Sequence, residues 1–508
     1  MSPRAATSQR PRTRGSDGAA LVPTVLSIGP ARLTAGLDRA ERLDLRAHQQ
    51  VHGPIGPLSL RALIELAEDI NLAGRGGAGF PFAKKLRAVA DAVERRMLAP
   101  FVVVNATEGE PAAWKDKVLL TRAPHLILDG AALVAWALRA VEIVLCVADD
   151  GVGERSLLAA VAERDLPVPA RVVRVPHRFI SGEGGALVQG INGLPHIPPG
   201  IKRRAAEGGV AGQPTLLSNA ETFAQLAIAA RVGPRRYCEV GDRDGKEPGT
   251  VLLSVTGSAR HPAVVECPTG TALADVLDLC AVPSGPAVLS GGFHGRWLDM
   301  TTASRAEVSR RGMTAVGGSL GAGIVLPISS DTCPLGEVAR VVRYLAAESA
   351  GQCGPCRLGL PDLARAVDGI ASGAGDPAVV RAAAAGVKGR GACSHPDGTA
   401  AFATSALEVF ADDLARHARS GDCGRPVAGV LPVPTAREEA GTHRLHVDWS
   451  RCDGHGLCAD VAPDLIRLDG NGYPALLDAP VPVRLEQVAA QAVAVCPALA
   501  LRLAAAKR

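Results

Sequence analysis

Aromatic residues make up only 3% of the 508-residue chain, too few to build a surface on which nucleic-acid bases stack. Excess charge is equally scarce. The formal net charge is +4, and Arg4, Arg10, Arg12 and Arg14 at the start of the chain account for all of it. The remainder is balanced, so no extended basic face is implied and nucleic acid is excluded as a partner. No uninterrupted apolar run reaches membrane-spanning length; stretches such as 126–148 carry Asp129, Arg139 and Glu142. The leading segment MSPRAATSQRPRTRGSDGAA lacks the apolar region of a Sec signal peptide. Its Arg, Pro, Ser and Gly content predicts a disordered tail over 1–25.

Cysteine is what the chain does have: twelve, some at CxxC spacing. In a chain of this length that favours metal binding in a reducing cytosol over disulfides. Six of them form two groups. Cys353-Gly-Pro-Cys356 is joined later by Cys393; Cys452 and Cys458 are joined by Cys496-Pro497. Thiolates are the ligands of iron–sulfur clusters, and a closing Cys-Pro is a ferredoxin habit. Two clusters in one chain imply that electrons move along it. Cys146, Cys238, Cys267, Cys280 and Cys423 lack ligand spacing and read as buried small hydrophobes.

The length implies several domains. Residues 58–70 read as an amphipathic helix that stops at the loop GRGGAGF (74–80), and helical periodicity resumes over 82–97. FVVVNA (101–106) and EIVLCVAD (142–149) read as buried strands around a helix at 124–141, predicting a parallel α/β sheet. Short β-type runs with one helical segment fill 251–300, a pattern compatible with a β-grasp. Helices then follow at 336–350, 360–371, 377–387 and 400–418. Residues 419–443 read as a linker, and a ferredoxin-sized unit closes the chain.

The glycine loop alone is compatible with a tight structural turn or with a backbone cradle for phosphate. Its neighbours point further. Asn105, Glu108, Glu110, Lys115 and Asp116 follow a strand end, where open α/β sheets bind ligands. FISGEGGALVQGINGLP (179–195) supplies a second glycine-rich loop, and Asn219 begins an Asn-x-Glu-Thr at a helix start. With these motifs in this order, residues 55–415 resemble the flavin- and NADH-binding 51-kDa or F subunit of respiratory NADH dehydrogenase. The same module occurs in bidirectional hydrogenases and NAD-linked formate dehydrogenases. The family's GRGGAGFP-x₃-K is complete as Gly74 to Pro81 plus Lys85, and its Asn-Ala-Asp-Glu-x-Glu-Pro becomes Asn105 to Pro111.

The resemblance implies a Rossmann-like FMN/NADH-binding α/β domain (26–250), an SLBB-like β-grasp (251–330) and a helical iron–sulfur bundle (331–418). The linker (419–443) and a small α+β ferredoxin domain (444–508) follow. It implies FMN against Gly74, Arg75, Gly76, Gly77, Gly79, Phe80, Lys85, Asn105, Glu108, Glu110, Gly182, Glu183 and Asn219, with Lys85 and Arg75 balancing the phosphate. Cys353, Cys356 and Cys393 would hold a 4Fe–4S or 3Fe–4S cluster. Residues 451–501 resemble small single-cluster bacterial ferredoxins that serve haem monooxygenases. There Cys452, Cys458 and Cys496 would hold a 3Fe–4S cluster, or a 4Fe–4S cluster with His455 as a ligand; a zinc site is the alternative that Cys-Pro argues against.

Several positions depart from the family. Gly184 stands where the second acid of Gly-Glu-Glu-Thr belongs, and Thr107 replaces an aspartate. Of the aromatics that stack on the adenine, Phe80 remains, the others becoming Ala88 and Gly200; Phe82 is a candidate to compensate. Ala350 replaces the leading cluster cysteine, and Cys333 is a candidate fourth ligand, with an ordinary buried thiol as the alternative. FMN binding is therefore better supported than NADH binding.

The expected activity is cytoplasmic electron transfer, peripheral to a membrane only through a partner. NADH or another donor would reduce FMN, then the bundle cluster, then the tethered ferredoxin. The acceptor would be a haem monooxygenase or a membrane reductase. One alternative is a subunit of a larger redox complex that has lost NADH binding and takes electrons from a partner. The other is a non-catalytic scaffold subunit.

Overall fold

In the computed structural model, residues 23–505 are described apart from 202, 243, 435–440, 442, 464, 477–479 and 483–484. The expected disorder at 1–22 thus falls outside them. The next residues are not a tail: β1 (Thr24–Ser27) pairs in parallel with a strand some 240 residues away, Thr24 opposite Ala263 and Ser27 opposite Glu266. Its register is held from the following turn. The fully buried Glu266 carboxylate accepts the N–H groups of Leu33 and Thr34 at 2.9 Å and the Thr34 hydroxyl at 2.6 Å.

The first sheet is parallel: β2 (Phe101–Ala106), β3 (Glu142–Ala148), β4 (Ala170–Val175) and β5 (Thr215–Asn219), in the order β4-β3-β2-β5. In β2 and β3 Val102, Val103, Val104, Ile143, Val144 and Leu145 are all buried. A parallel sheet covered by helices on both faces reads as continuous apolar runs of this kind. The chain winds outward from β2 through β3 to β4, then crosses back to place β5 on the other side of β2. The helices Pro124–Leu138 and Ala220–Cys238 pack together over the sheet; Gly130 lies against the Phe223 carbonyl, leaving no room for a Cβ.

The second sheet has the order β1-β7-β6-β10-β8-β9, from β6 (Thr250–Val255), β7 (Ala263–Pro268), β8 (Ala287–Ser290), β9 (Arg296–Asp299) and β10 (Ile324–Ile328). One helix, Leu273–Leu279, buries Leu273 and Val276 beside Val265 and Val288.

A helical layer follows: Pro334–Ala347, Leu360–Ala371, Pro377–Val387, His395–Val409 and Ala411–Ser420. The helix expected over 400–418 is two helices, parted at Phe410, whose ring is buried. The expected linker also proves partly structural. Leu431 is fully buried, and Val430 and Val433 pack on the bundle core. The buried Glu337 carboxylate accepts N–H groups from Gly429 at 2.6 Å, Val430 at 3.2 Å and Leu431 at 3.3 Å. Glycine and proline content suggested a free linker, but one buried carboxylate satisfies three of its amides, a charge-assisted arrangement that fixes a strap on the bundle.

The terminal unit pairs β11 (His443–Val447) with β14 (Leu501–Ala505) and β12 (Ile466–Leu468) with β13 (Pro474–Leu476), both antiparallel. Helices Leu457–Val461 and Glu486–Ala494 close it around Ala489, Ala492 and Leu501. Among the described residues no single helix is long and apolar enough to cross a membrane. The apolar pair Lys115–Arg122 and Pro124–Leu138 is bent by 93°, and most of its side chains are buried.

Candidate flavin and cluster sites

The first sheet reverses its winding between β2 and β5, and the carboxyl ends of two strands that diverge in this way leave a ligand crevice. Asn105 and Asn219 close those strands in register with each other. The Gly74–Phe80 loop lies over this point: a Cβ on Gly76 would stand 3.2 Å from Asn219 Cβ. Gly77 and Gly79 have φ of 109° and 62°, a region open to glycine and strained for most residues. A Cβ at Gly77 would meet nothing within 4 Å, so this face of the loop is open.

Arg310, which the sequence reading missed, holds the loop from the second sheet's side. Its guanidinium donates to the Gly77 carbonyl at 2.7 Å and the Gly74 carbonyl at 2.8 Å. A planar peptide held by its carbonyl on one side presents the next N–H on the other. Accordingly Arg75 N–H donates to Thr222 Oγ1 at 2.9 Å, and the Ala78 N–H is turned away from Arg310. No spacing signal marks Arg310, because its partners lie over 230 residues away.

The other expected contacts divide into two sets. Lys85 reaches the crevice, donating from Nζ to the Leu217 carbonyl at 3.0 Å; burial lowers its pKa. Asn105 Nδ2 donates to the Gly182 carbonyl at 2.9 Å, and its Oδ1 accepts from the Thr107 hydroxyl at 2.8 Å. Thr107 thus positions Asn105. Asn219 caps the helix Ala220–Cys238 and meets Lys115 Nζ at 3.3 Å. Glu183 caps the helix Gly184–Ile191, accepting from Ala186 N–H at 2.9 Å.

Arg75, Glu108 and Glu110 are committed elsewhere. Arg75, expected to balance a phosphate, is buried, with Glu221 at 3.9 Å and the Thr250 carbonyl at 3.3 Å. Glu108 accepts the N–H groups of Asp116 and Lys117 at 2.9 and 2.8 Å. Glu110 accepts the Phe293 N–H at 2.7 Å and so joins the two sheets. Burial pushes both carboxyls up: Glu110 to about 8, and Glu108, with the like charge of Asp116 adding, to about 7. Beneath the crevice Lys115 Nζ sits between Asp116 at 2.9 Å and Glu221 at 3.1 Å, a buried cation among carboxylates. Phe80 is 49% exposed and free to stack, whereas Phe82 is fully buried edge-on against Phe223 and cannot replace a lost aromatic.

The first cysteine group lies next to this crevice. Cys356 occupies a π-helical turn, Pro355–Gly359, a distortion that recurs at functional sites. The Cys356 thiol is pushed up to about 12 by burial and by neighbouring Cys353 and Cys393, which places the three sulfurs in one group. Cys353 receives a hydrogen bond from the Ala392 main chain, and Cys356 one from Ala350. The Ala350 backbone therefore still lines the group although its thiol is gone. Cys333 is not part of it; its Sγ lies 3.4 Å from His417 Nε2, and Cys423 joins that pair. Cys333 is buried, whereas half-buried Cys423 and exposed Cys238 depart from the buried-hydrophobe reading. The segment before Cys353 is tied to the flavin side: Glu348 accepts the Phe179 N–H at 2.7 Å, and Gln352 Nε2 donates to the Pro198 carbonyl at 2.7 Å.

In the terminal unit Cys452, Cys458, Cys496 and exposed His455 line one open pocket, with Pro497 and Pro474. Cys496 Sγ accepts the Ala500 N–H at 3.3 Å.

Three family models match in this order. The Nuo51 FMN-binding domain matches residues 67–228 and the NADH-ubiquinone oxidoreductase-F iron–sulfur binding region 337–417. A 4Fe–4S single cluster domain matches 445–503. The chain is thus similar to F subunits over the first two regions and to a single-cluster domain over the third. Its relatives include the F 2 subunit of NADH-quinone oxidoreductase in Rhizobium meliloti, 27% identical over 73% of this chain and 91% of the relative. The corresponding F subunit of Streptomyces coelicolor is 28% identical over 76% and 90%. The alpha subunit of NAD-reducing hydrogenase HoxS in Cupriavidus necator is 29% identical over 61% and 52%. An air-oxidised NAD⁺-reducing [NiFe]-hydrogenase structure superposes with a TM-score of 0.66 at 25% identity, over 82% of this chain and 74% of that one.

The residues present suit the groups these domains carry. The loop's open face and the switch-point crevice fit a flat, phosphorylated cofactor, and two sets of three thiols fit clusters.

Proposed function

We propose that this chain is an electron-transfer flavoprotein that accepts a hydride from NADH and delivers single electrons through two clusters to an external redox protein. The observation that supports this most is the adjacency of the crevice to the Cys353 loop through Glu348–Phe179 and Gln352–Pro198. FMN, bound in the crevice, supplies the conversion from two-electron to one-electron chemistry. The chain's residues do the rest. The Gly74–Phe80 loop and Lys85 hold the phosphate, and Asn105 and Asn219 meet the polar edge. Gly182, Glu183 and the half-exposed Phe80 border the donor's approach. The second sheet acts as a β-grasp that supports the loop through Arg310. Cys353, Cys356 and Cys393 hold a cluster, and Cys452, Cys458 and Cys496 hold the last one. The working location is the cytoplasm, in a larger redox complex or docked to an acceptor such as a haem monooxygenase.

A second reading keeps the relay but replaces NADH as donor. It is favoured by the burial of Phe82, which leaves Phe80 the only aromatic among the expected stacking positions. Anaerobic titration of FMN- and iron-reconstituted protein with NADH separates the two, following flavin bleaching and cluster EPR together. Bleaching with a change in cluster signals supports the first. Flavin that stays oxidised with NADH yet responds to dithionite supports the second. Loss of flavin and acid-labile sulfide after anaerobic purification would refute both.

A further inference from the structure

We propose that Cys333, His417 and Cys423 bind a zinc ion that clips the strap following the last bundle helix onto the head of the helix Pro334–Ala347. The ligand atoms of these three residues lie within 4.8 Å of one another, and no fourth His, Cys, Asp or Glu among the described residues joins them. The site is separate from the cluster thiols, and Cys423 lies beyond the matched cluster region, which ends at 417.

The geometry is that of a mononuclear site. Tetrahedral zinc with sulfur at about 2.3 Å and nitrogen at about 2.05 Å sets an S–N edge of about 3.6 Å. The Cys333 Sγ to His417 Nε2 distance is 3.4 Å. The imidazole is also set in the right form. His417 Nδ1 lies 2.7 Å from the Ala371 carbonyl, which can only accept, so Nδ1 carries the hydrogen and Nε2 turns its lone pair to the thiols. Fixing of a ligand imidazole by a backbone carbonyl is the usual outer support of a zinc histidine.

Each thiol also has a partner suited to a thiolate. Cys333 caps its helix, its Sγ accepting the Gly336 N–H at 3.3 Å, where the helix dipole favours negative charge. Cys423 lies beside the Arg425 guanidinium, itself paired with Asp413. Binding would release two thiol protons and leave zinc with two thiolates and one neutral imidazole, a neutral set. Water would take the fourth position. A Cys333–Cys423 disulfide is the competing use of the two thiols. It requires an oxidant that nothing in the structure supplies, and it leaves the oriented Nε2 lone pair without purpose.

The test uses the full chain with flavin and clusters, expressed with added zinc and purified anaerobically. Metal is measured by mass spectrometry, and zinc K-edge absorption reads the zinc shell without interference from iron. We expect near-stoichiometric zinc that survives dialysis against EDTA, with two sulfurs and light N/O ligands. Cys423→Ser and His417→Gln should each lower zinc to background while FMN and iron contents stay unchanged. Wild-type protein that retains no zinc overturns the proposal. So does zinc in a shell of three or four sulfurs that persists in both variants, which would place it in vacant cluster thiols. A Cys333–Cys423 disulfide in the anaerobic protein overturns it as well. Should a variant lose flavin and iron too, the wild-type zinc shell decides, two sulfurs for and three or four against.

Discussion

Removing the Arg310 side chain should release the flavin loop without touching any group that faces the flavin. Arg310 is placed by its own helix: Ser309 caps Arg310–Ala315 by accepting the Gly312 N–H at 2.8 Å, and Glu247 accepts the N–H groups of Arg310 and Arg311 at 2.9 and 2.8 Å. From there the guanidinium ties the carbonyls of Gly74 and Gly77. Charge-assisted hydrogen bonds contribute about 1.5 kcal/mol each at the low end, so the pair holds the loop by about 3 kcal/mol. In Arg310→Ala the glycine-rich backbone is free to leave its cradle conformation, and FMN binding must restore it. Affinity should therefore fall roughly a hundredfold, since 1.4 kcal/mol is a tenfold change. Titrating apoprotein with FMN and following flavin fluorescence measures this directly. Arg310→Lys, which reaches one carbonyl at most, should fall between. An Arg310→Ala protein that binds FMN within threefold of wild type would refute the view that the second sheet preorganises the loop.

Three further outcomes follow from the site. Ala350→Cys should add a fourth thiol beside Cys356, whose sulfur already receives the Ala350 main-chain hydrogen bond. If the native cluster is 3Fe–4S, EPR should show its oxidised-state signal replaced by a reduced-state 4Fe–4S signal; an unchanged spectrum counts against Ala350 lining the cluster. Glu110 is held protonated by burial up to about pH 8. Because its folded pKa lies above the unfolded value, its contribution is full below about pH 4.3 and is lost as pH rises to about 8, at no more than about 1.4 kcal/mol per pH unit. Glu110→Gln keeps the acceptor for Phe293 N–H and should flatten that part of the denaturation profile; an unaltered slope would exclude Glu110 as its source. Phe80→Ala should raise KM for NADH about two- to tenfold if its exposed ring stacks on the donor, an aromatic contact being worth about 0.5–1.5 kcal/mol. Phe82→Leu should lower stability and leave KM alone. Equal KM effects would undo that assignment.

The parts of the fold that could be read along the chain were those fixed by local pattern. The apolar run FVVVNA gives β2, and the helix Phe82–Arg96 follows its 3.6-residue period between Pro81 and Met97. The crevice could be anticipated because its asparagines sit at strand ends and its glycines gather in one short loop between two helices. What could not be read is long-range. Thr24 and Val25 look like tail because their strand partner is β7 and the strand's register comes from Glu266. Arg75 and Glu110 are the right residue types at the right motif, yet their side chains turn to Glu221 and Phe293. Arg310 and the Cys333–His417–Cys423 group join residues from distant elements, with no spacing to announce them. Composition misled at 422–434, where glycine and proline serve a docked strap whose amides meet Glu337.

The docked strap changes how the last electron step can work. Between the crevice and the Cys353 group, hydrogen bonds from Phe179 to Glu348 and from Gln352 to Pro198 fix the two sides in one packed body. The ferredoxin domain is joined differently. Strap residue Val433 packs on the bundle, and Gly441 already donates to the Val481 carbonyl of the terminal unit at 3.0 Å. The chain between Pro434 and Gly441 can span at most about 25 Å. A tether this short holds the ferredoxin cysteines at high effective concentration near the bundle, so electron delivery to them should be independent of protein concentration. Reaching an external acceptor is then the step that the tether restricts. The acceptor must come to the ferredoxin while the strap stays docked, and freeing the strap from Glu337 would lengthen the reach by the whole of 422–434.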